Sequence, residues 1–254
     1  MPPVKQKTPK AARPAVKAAS LPKAKPAKAR KAAKKKSYDP VAPERIRAIL
    51  DALAAAYPNA ECALHHRNAW ELLVATVLSA QCTDTRVNMV TPSLFRRFPT
   101  PADFAAAALP DIEEEIRSTG FYHNKAKSLS GAAKRLISEY KGKVPRTMDE
   151  LLTIPGVARK TANVVLGVAY GLAEGVVVDT HVLRLSRRLE LTTATEPRKV
   201  EQDLIQIIPR DHWIAFSHEM IHHGRQICIA RKPKCADCTL EKICNSSDKT
   251  WSTH

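Results

Sequence analysis

An all-α fold follows from three features of the 254-residue chain. From Pro40 onward, apolar residues recur at helical spacing in one segment after another. No stretch alternates polar and apolar residues for long enough to form a strand. Helix-start signals stand at several segment boundaries. In residues 43–57, Ile46, Ile49, Leu50 and Leu53 follow the i, i+3, i+4, i+7 rule of a one-faced helix. Further helical patterns cover residues 69–80, 84–97, 101–108, 112–118, 124–140 and 147–153, then 157–170, 180–188, 199–207 and 212–223. Thr100-Pro101 reads as an N-cap followed by proline at the first helical position, and Asp84 and Asp211 read as caps of the segments they open. Val176 to Val178 is too short to count as a strand. With only 8 glycines, collagen-like and glycine-rich disordered classes are excluded.

Charge divides the chain. Residues 1–36 hold 13 Lys/Arg, six prolines and no acid; the remaining 28 Lys/Arg and 25 Asp/Glu leave the body at only +3 of the total +16. The first 37 residues are expected to form a disordered basic tail, a polycation able to hold DNA through phosphate contacts and counterion release. A solubilising tail and a targeting peptide are the other readings. The longest uncharged stretches, residues 72–83 and 161–173, fall short of the roughly 18–20 residues a bilayer needs, so no membrane association is expected. Four of the six cysteines crowd into residues 228–244, which suggests a metal or iron–sulfur site in a reducing compartment rather than a disulfide framework.

Four segments carry chemistry. In Leu152-Thr-Ile-Pro-Gly-Val-Ala-Arg-Lys-Thr-Ala162 a short helix ends, Pro155-Gly156 turns, and an apolar helix follows. Such a hairpin aims backbone N–H groups and a helix N-terminus outward, which suits a phosphate, and glycine admits close backbone approach. On the turn alone, an ordinary connection between helices is the preferred reading. Lys160 falls in the first turn of the second helix, where the dipole disfavours an ammonium ion; that suits an amine that must be neutral to attack carbon. A surface lysine is the plain alternative. Asp179, in Val178-Asp-Thr-His-Val182, reads as an N-cap whose backbone hydrogen bonds keep it ionised, and a fixed carboxylate can stabilise an oxocarbenium ion. Cys228, Cys235, Cys238 and Cys244 follow a 6-2-5 spacing with a single close pair; a [4Fe–4S] cube accepts that more easily than zinc. Arg231 and Lys232 lie on a basic loop pinned by those cysteines, and so form a preorganised phosphate contact.

Together these motifs resemble the helix–hairpin–helix DNA glycosylases, with the match closest to endonuclease III. The resemblance runs from about Pro43 to Cys244 and rests on Leu78-Ser-Ala-Gln-Cys-Thr-Asp84, Gly120-Phe-Tyr-His-Asn-Lys-Ala126, the 155–160 hairpin, Val178-Asp-Thr-His181 and the cysteine loop. It implies two helical domains with a DNA cleft between them. Residues 62–172 would form a six-helix barrel bearing the hairpin, and residues 173–254, joined by an N-terminal helix within 38–61, the iron–sulfur domain. Lys160 would attack C1′ of a flipped oxidised pyrimidine, assisted by Asp179, and β-elimination through the Schiff base would cut the strand. Gln81 would fill the gap left in the duplex and Phe121 would act as the wedge, where leucine is more usual; an aromatic there stacks more strongly, by ~1–3 kcal/mol. Taken alone, Gln81 reads as a polar residue at a helix end and Phe121 as a core residue. Gly156, Ala158 and His181 complete the expected DNA contacts.

Two departures stand out. Ala158 occupies the place of the hairpin's usual second glycine, where a Cβ is expected to hinder phosphate approach or a left-handed backbone. The link from Lys160 to Asp179 is also one residue longer than usual, around residues 171–175. The rivals are an adenine-excising monofunctional glycosylase of the same superfamily, which lacks the lysine and carries a further C-terminal domain, and a non-catalytic DNA-binding protein with a structural zinc loop. The expected protein is a cytoplasmic, nucleoid-associated monomer whose partner is double-stranded DNA.

Overall fold

Residues 38–251 are described in a computed structural model, and the basic tail expected at residues 1–37 lies outside them. Among the described residues all regular structure is helical. Eleven α-helices form there: α1 (Pro43–Ala56), α2 (Ala69–Leu78), α3 (Asp84–Arg97), α4 (Pro101–Ala106), α5 (Leu109–Ile116), α6 (Tyr122–Tyr140), α7 (Met148–Leu152), α8 (Arg159–Tyr170), α9 (Thr180–Arg188), α10 (Pro197–Ile207) and α11 (Trp213–Gln226). Each lies within a turn of its expected span.

Two boundary readings are corrected. Thr83, not Asp84, caps α3: its side chain accepts the Arg86 N–H, and Asp84 becomes the first helical residue, where a carboxylate suits the dipole. Asp211 caps nothing either, because residues Arg210–His212 form a 3-10 turn that feeds directly into α11. At α4 the expectation holds, with Thr100 and Asp103 forming a reciprocal capping box ahead of Pro101.

The compact unit that begins at Asp39 holds two hydrophobic cores. The first draws on α2 to α8 and is centred on α2, where every residue from Trp70 to Leu78 is buried. That accounts for the uncharged run at 72–83: a helix apolar on all sides belongs inside a core, and each buried leucine contributes roughly 1.5–3 kcal/mol. The second core joins Ile46, Ile49, Leu50 and Leu53 of α1 to Val182 and Leu185 of α9, Phe216 and Met220 of α11, and Leu240. After α8 the chain leaves the first core through Gly171, whose left-handed φ of +66° ends the helix, and enters the second at Val176.

Candidate active site and nucleic-acid face

The hairpin is built on contact between small groups. Gly156 has φ +81°, and a Cβ added there would lie 2.6 Å from Ser128 Cβ on α6; a Cβ on Gly131, one turn further along, would lie 3.2 Å from Pro155. The Pro155-Gly156 turn is thereby seated on α6. Ala158 is the N-cap of α8 with extended backbone (φ −97°, ψ 168°) and no side-chain cap. The expectation that this position calls for a left-handed backbone is therefore corrected, since any residue adopts this conformation. With no capping side chain, the first N–H groups of α8 keep their bonding capacity.

Lys160 is the second residue of α8, and Asp179 is the N-cap of α9. Both line one cavity, together with Ser79, Asp84, His218 and Arg225. Asp179 Oδ1 accepts the N–H groups of His181 and Val182, each at 2.8 Å, and Oδ2 lies 2.7 Å from His181 Nδ1. Burial works to raise the Asp179 pKa, but the His181 ring, the Val182 N–H and the charges of His181 and Lys160 together hold it below the ordinary carboxylate value. The Nδ1 edge of the His181 ring is thus engaged by the carboxylate. A close fit of α9 on α11 keeps it there, because a Cβ at Gly224 would meet His181 Cβ at 2.9 Å.

A second depression brings together Gln81, Phe121, Gly156 and Ala158. Gln81 (φ 53°) and Phe121 (φ 50°) are both left-handed without being glycine, a conformation that costs about 1–2 kcal/mol per residue. Phe121 is 64% exposed, so the reading of it as a core residue fails. An exposed aromatic held in a strained turn suits contact with a partner.

The cysteine loop follows α11. Cys228, Cys238 and Cys244 pack against the second core, and none of the four cysteines is in a disulfide. Burial, together with the neighbouring Cys228, Cys244 and Cys235, pushes the Cys238 thiol up to about 11. Arg188 Nη1 donates to Cys228 Sγ at 3.3 Å, and the Thr250 N–H to Cys235 Sγ at 3.4 Å. Arg231 and Lys232 are exposed between the cysteines. Among the described residues, no three His, Cys, Asp or Glu side chains gather around a point that could hold a single metal ion.

Comparison with known proteins decides the family. The model of the HhH-GPD superfamily of base excision DNA repair proteins matches residues 74–210. Endonuclease III of Synechocystis sp. is 53% identical over 204 residues, covering 80% of this chain and 93% of that protein. The Bacillus subtilis endonuclease III is 43% identical over 207 residues, covering 81% and 94%. A solved endonuclease III in non-covalent complex with DNA matches with a TM-score of 0.76 at 46% identity, covering 80% of this chain and 95% of that one. The chain belongs to the endonuclease III family.

Within that family frame, three features escaped the sequence reading. Asp84 pairs with Arg225 of α11 at 2.6 Å, so the cavity holding Lys160 is bridged from α3 to α11. Glu201 of α10 is buried and accepts from Arg159 at 3.0 Å and Asn163 at 2.8 Å, both on α8, bracketing Lys160. Gly175 is required beside it, since a Cβ there would collide with Glu201 and Asn163. Lys125 is buried inside α6, and burial pushes its ammonium below the ordinary lysine value. Composition signals none of these; only an unexpected charge on an otherwise apolar helix face hints at Lys125.

Proposed function

We propose that this chain is a bifunctional DNA glycosylase and abasic-site lyase that removes oxidised pyrimidines from duplex DNA. The observation that carries the reading is the meeting of Lys160 and an ionised Asp179 in one cavity, beside a depression that gathers the hairpin with Gln81 and Phe121. C1′ of a stacked nucleotide is out of reach, so the damaged nucleotide is first extruded. Gln81 and Phe121 occupy the space it leaves, while Gly156 and the N–H groups after Ala158 receive a backbone phosphate. Lys160 Nζ, once it has given up a proton, bonds to C1′ as the base departs with the glycosidic electron pair, and Asp179 stabilises the positive charge that develops on the sugar. The amine then sheds a proton as the C1′–O4′ bond breaks, with O4′ leaving as the ring-opened hydroxyl. The resulting Schiff base acidifies the 2′-proton, and loss of that proton expels the 3′ phosphate. An endonuclease III has been solved as a trapped covalent DNA intermediate, and this chain matches it at 46% identity with a TM-score of 0.76. The presence of Lys160 favours this reading over a monofunctional adenine glycosylase.

Borohydride reduction on DNA carrying an abasic site tests the assignment. The wild type is expected to form a covalent complex, and Lys160→Gln to bind the same DNA without cross-linking or cleaving it. Trapping by Lys160→Gln at wild-type yield would transfer the nucleophile to another amine.

The residues 228–244 are proposed to hold a [4Fe–4S] cluster in a domain spanning residues 173–254, beside a barrel domain of residues 62–172. Its support is donor chemistry: four thiols outside any disulfide crowd together, and burial with the neighbouring cysteines pushes the Cys238 and Cys244 thiols up, so a cation is needed to hold them as thiolates. Their uneven 6-2-5 spacing, with a single close pair, suits a [4Fe–4S] cube better than a single zinc. When bound, the cluster supplies a cross-link that holds Arg231 and Lys232 out toward phosphate. A broad absorbance near ~400 nm with stoichiometric iron is expected, and a colourless zinc protein would refute it. The protein is read as a monomer acting on nucleoid DNA in the cytoplasm. Among the described residues no helix is long and apolar enough to cross a membrane.

A further inference from the structure

The mechanism above makes no use of Lys125, although its side chain is only 5% exposed. Its ammonium donates to two carbonyls, Leu78 O and Thr119 O, each at 2.8 Å. Leu78 is the last residue of α2, three positions before Gln81; Thr119 stands two positions before Phe121. The final carbonyls of a helix lack intrahelical partners and carry the negative end of its dipole, so a cation is favoured there. Burying an ammonium is costly unless it is bonded, and an apolar residue would fill the space at less expense. Ala126 and Leu129, on the same helix, do so.

What an apolar residue could not do is join the two backbones. Past each carbonyl only a short span remains, Ser79-Ala80 on one side and Gly120 on the other, before a left-handed residue that points into the shared depression. We propose that Lys125 is a positioning residue that pins the Gln81 and Phe121 loops to one another, so that both side chains enter the duplex at a fixed separation. The inference rests on the proposed function, in which those two side chains replace the extruded nucleotide. With the pin removed the two tips move independently. Duplex substrates then suffer, while chemistry on an already unpaired strand does not.

Single-turnover cleavage of an abasic site in duplex and in single-stranded DNA tests this with Lys125→Met, which keeps length and loses every donor. Duplex cleavage is expected to fall about tenfold, the scale of losing buried bonds to a charged group, with single-strand cleavage within about twofold of wild type. An equal fall on both substrates, or none on either, would overturn the proposal. In a Gln81→Ala/Phe121→Ala background, Lys125→Met is expected to add no further duplex loss, and an additive loss would likewise overturn it. If Lys125→Met does not fold, Lys125→Gln, which retains a donor of shorter reach, is read by the same duplex-to-single-strand ratio. A wild type that cleaves neither substrate would instead refute the lyase reading before any variant is made. The pin would then be judged by duplex affinity for an abasic analogue.

Discussion

Replacing Gly156 by alanine probes the hairpin most directly, because two separate penalties follow from its geometry. The backbone stands at φ +81°, where an L side chain costs about 1–2 kcal/mol. The new Cβ would also lie 2.6 Å from Ser128 Cβ, an atom fixed to the α6 backbone rather than the end of a flexible chain. Forcing such a contact in a packed site costs typically ~1–3 kcal/mol. The sum, roughly 2–5 kcal/mol, predicts a melting temperature lower by about 5–15 °C in a protein of this size. Relief of the clash requires the turn to rise off α6, moving the N–H groups proposed to bind phosphate, so affinity for an abasic-analogue duplex should fall as well. Thermal denaturation and binding at one fixed salt concentration measure the two effects. Adding Ser128→Gly should recover the steric part and leave the left-handed penalty. A Gly156→Ala protein that melts and binds like wild type would refute the reasoning, and so would a Ser128→Gly background that recovers nothing.

Further expectations follow from the caps of α8 and α9. Ala158→Ser should give α8 a side-chain cap and stabilise the protein by ~1 kcal/mol, while weakening DNA binding because its oxygen competes for N–H groups that a phosphate would use; paired melting and binding curves check both signs, and tighter binding would count against the phosphate role. Asp179→Asn keeps an oxygen to cap α9 and loses the charge, so strand cleavage should drop about a hundredfold or more with little loss of stability; Asp179→Ala should lose a further ~1 kcal/mol of stability through the missing cap. Since the folded Asp179 pKa lies below the ordinary value, its stabilisation is fully present above the unfolded carboxylate pKa of about 3.9 and is lost as pH falls through the lower folded value. The melting difference between wild type and Asp179→Ala should accordingly stay constant from neutral pH down to that point and narrow below it.

Helices were legible because their apolar spacing is a one-dimensional pattern, as at Ile46, Ile49, Leu50 and Leu53, all buried on one face of α1. Lys160 and Asp179 were legible because each sits at a helix start, a place the sequence marks locally. The left-handed turns at Gln81 and Phe121 were not, because neither is the glycine that normally announces positive φ. Asp84 was misread for a related reason: Thr83 and Asp84 are both good caps, and only three-dimensional contact with Arg225 shows what the carboxylate does. Glu201 looks like a solvated surface charge in one dimension, and Lys125 shows only as an odd charge on an apolar helix face, with nothing to name its partners. Their partners come from α8 in one case and from the ends of α2 and the 3-10 turn Arg117–Thr119 in the other, and no local pattern encodes such pairings.

The place of α1 in the second core bears on how the chain matures during synthesis. Its apolar face meets Phe216 and Met220 of α11, yet Trp213 leaves the ribosome 157 residues after Ala56. At typical elongation rates that interval is roughly 8–30 s. Every helix of the first core is present once Tyr170 ends α8, 43 residues before Trp213, so that core can collapse in chain order while Ile46, Ile49, Leu50 and Leu53 still wait for α11. The nascent protein therefore carries a finished half and a bare amphipathic helix at the same moment. A holdase chaperone would find its substrate there, and slow decoding between α8 and α11 would lengthen the exposure without disturbing the half already built.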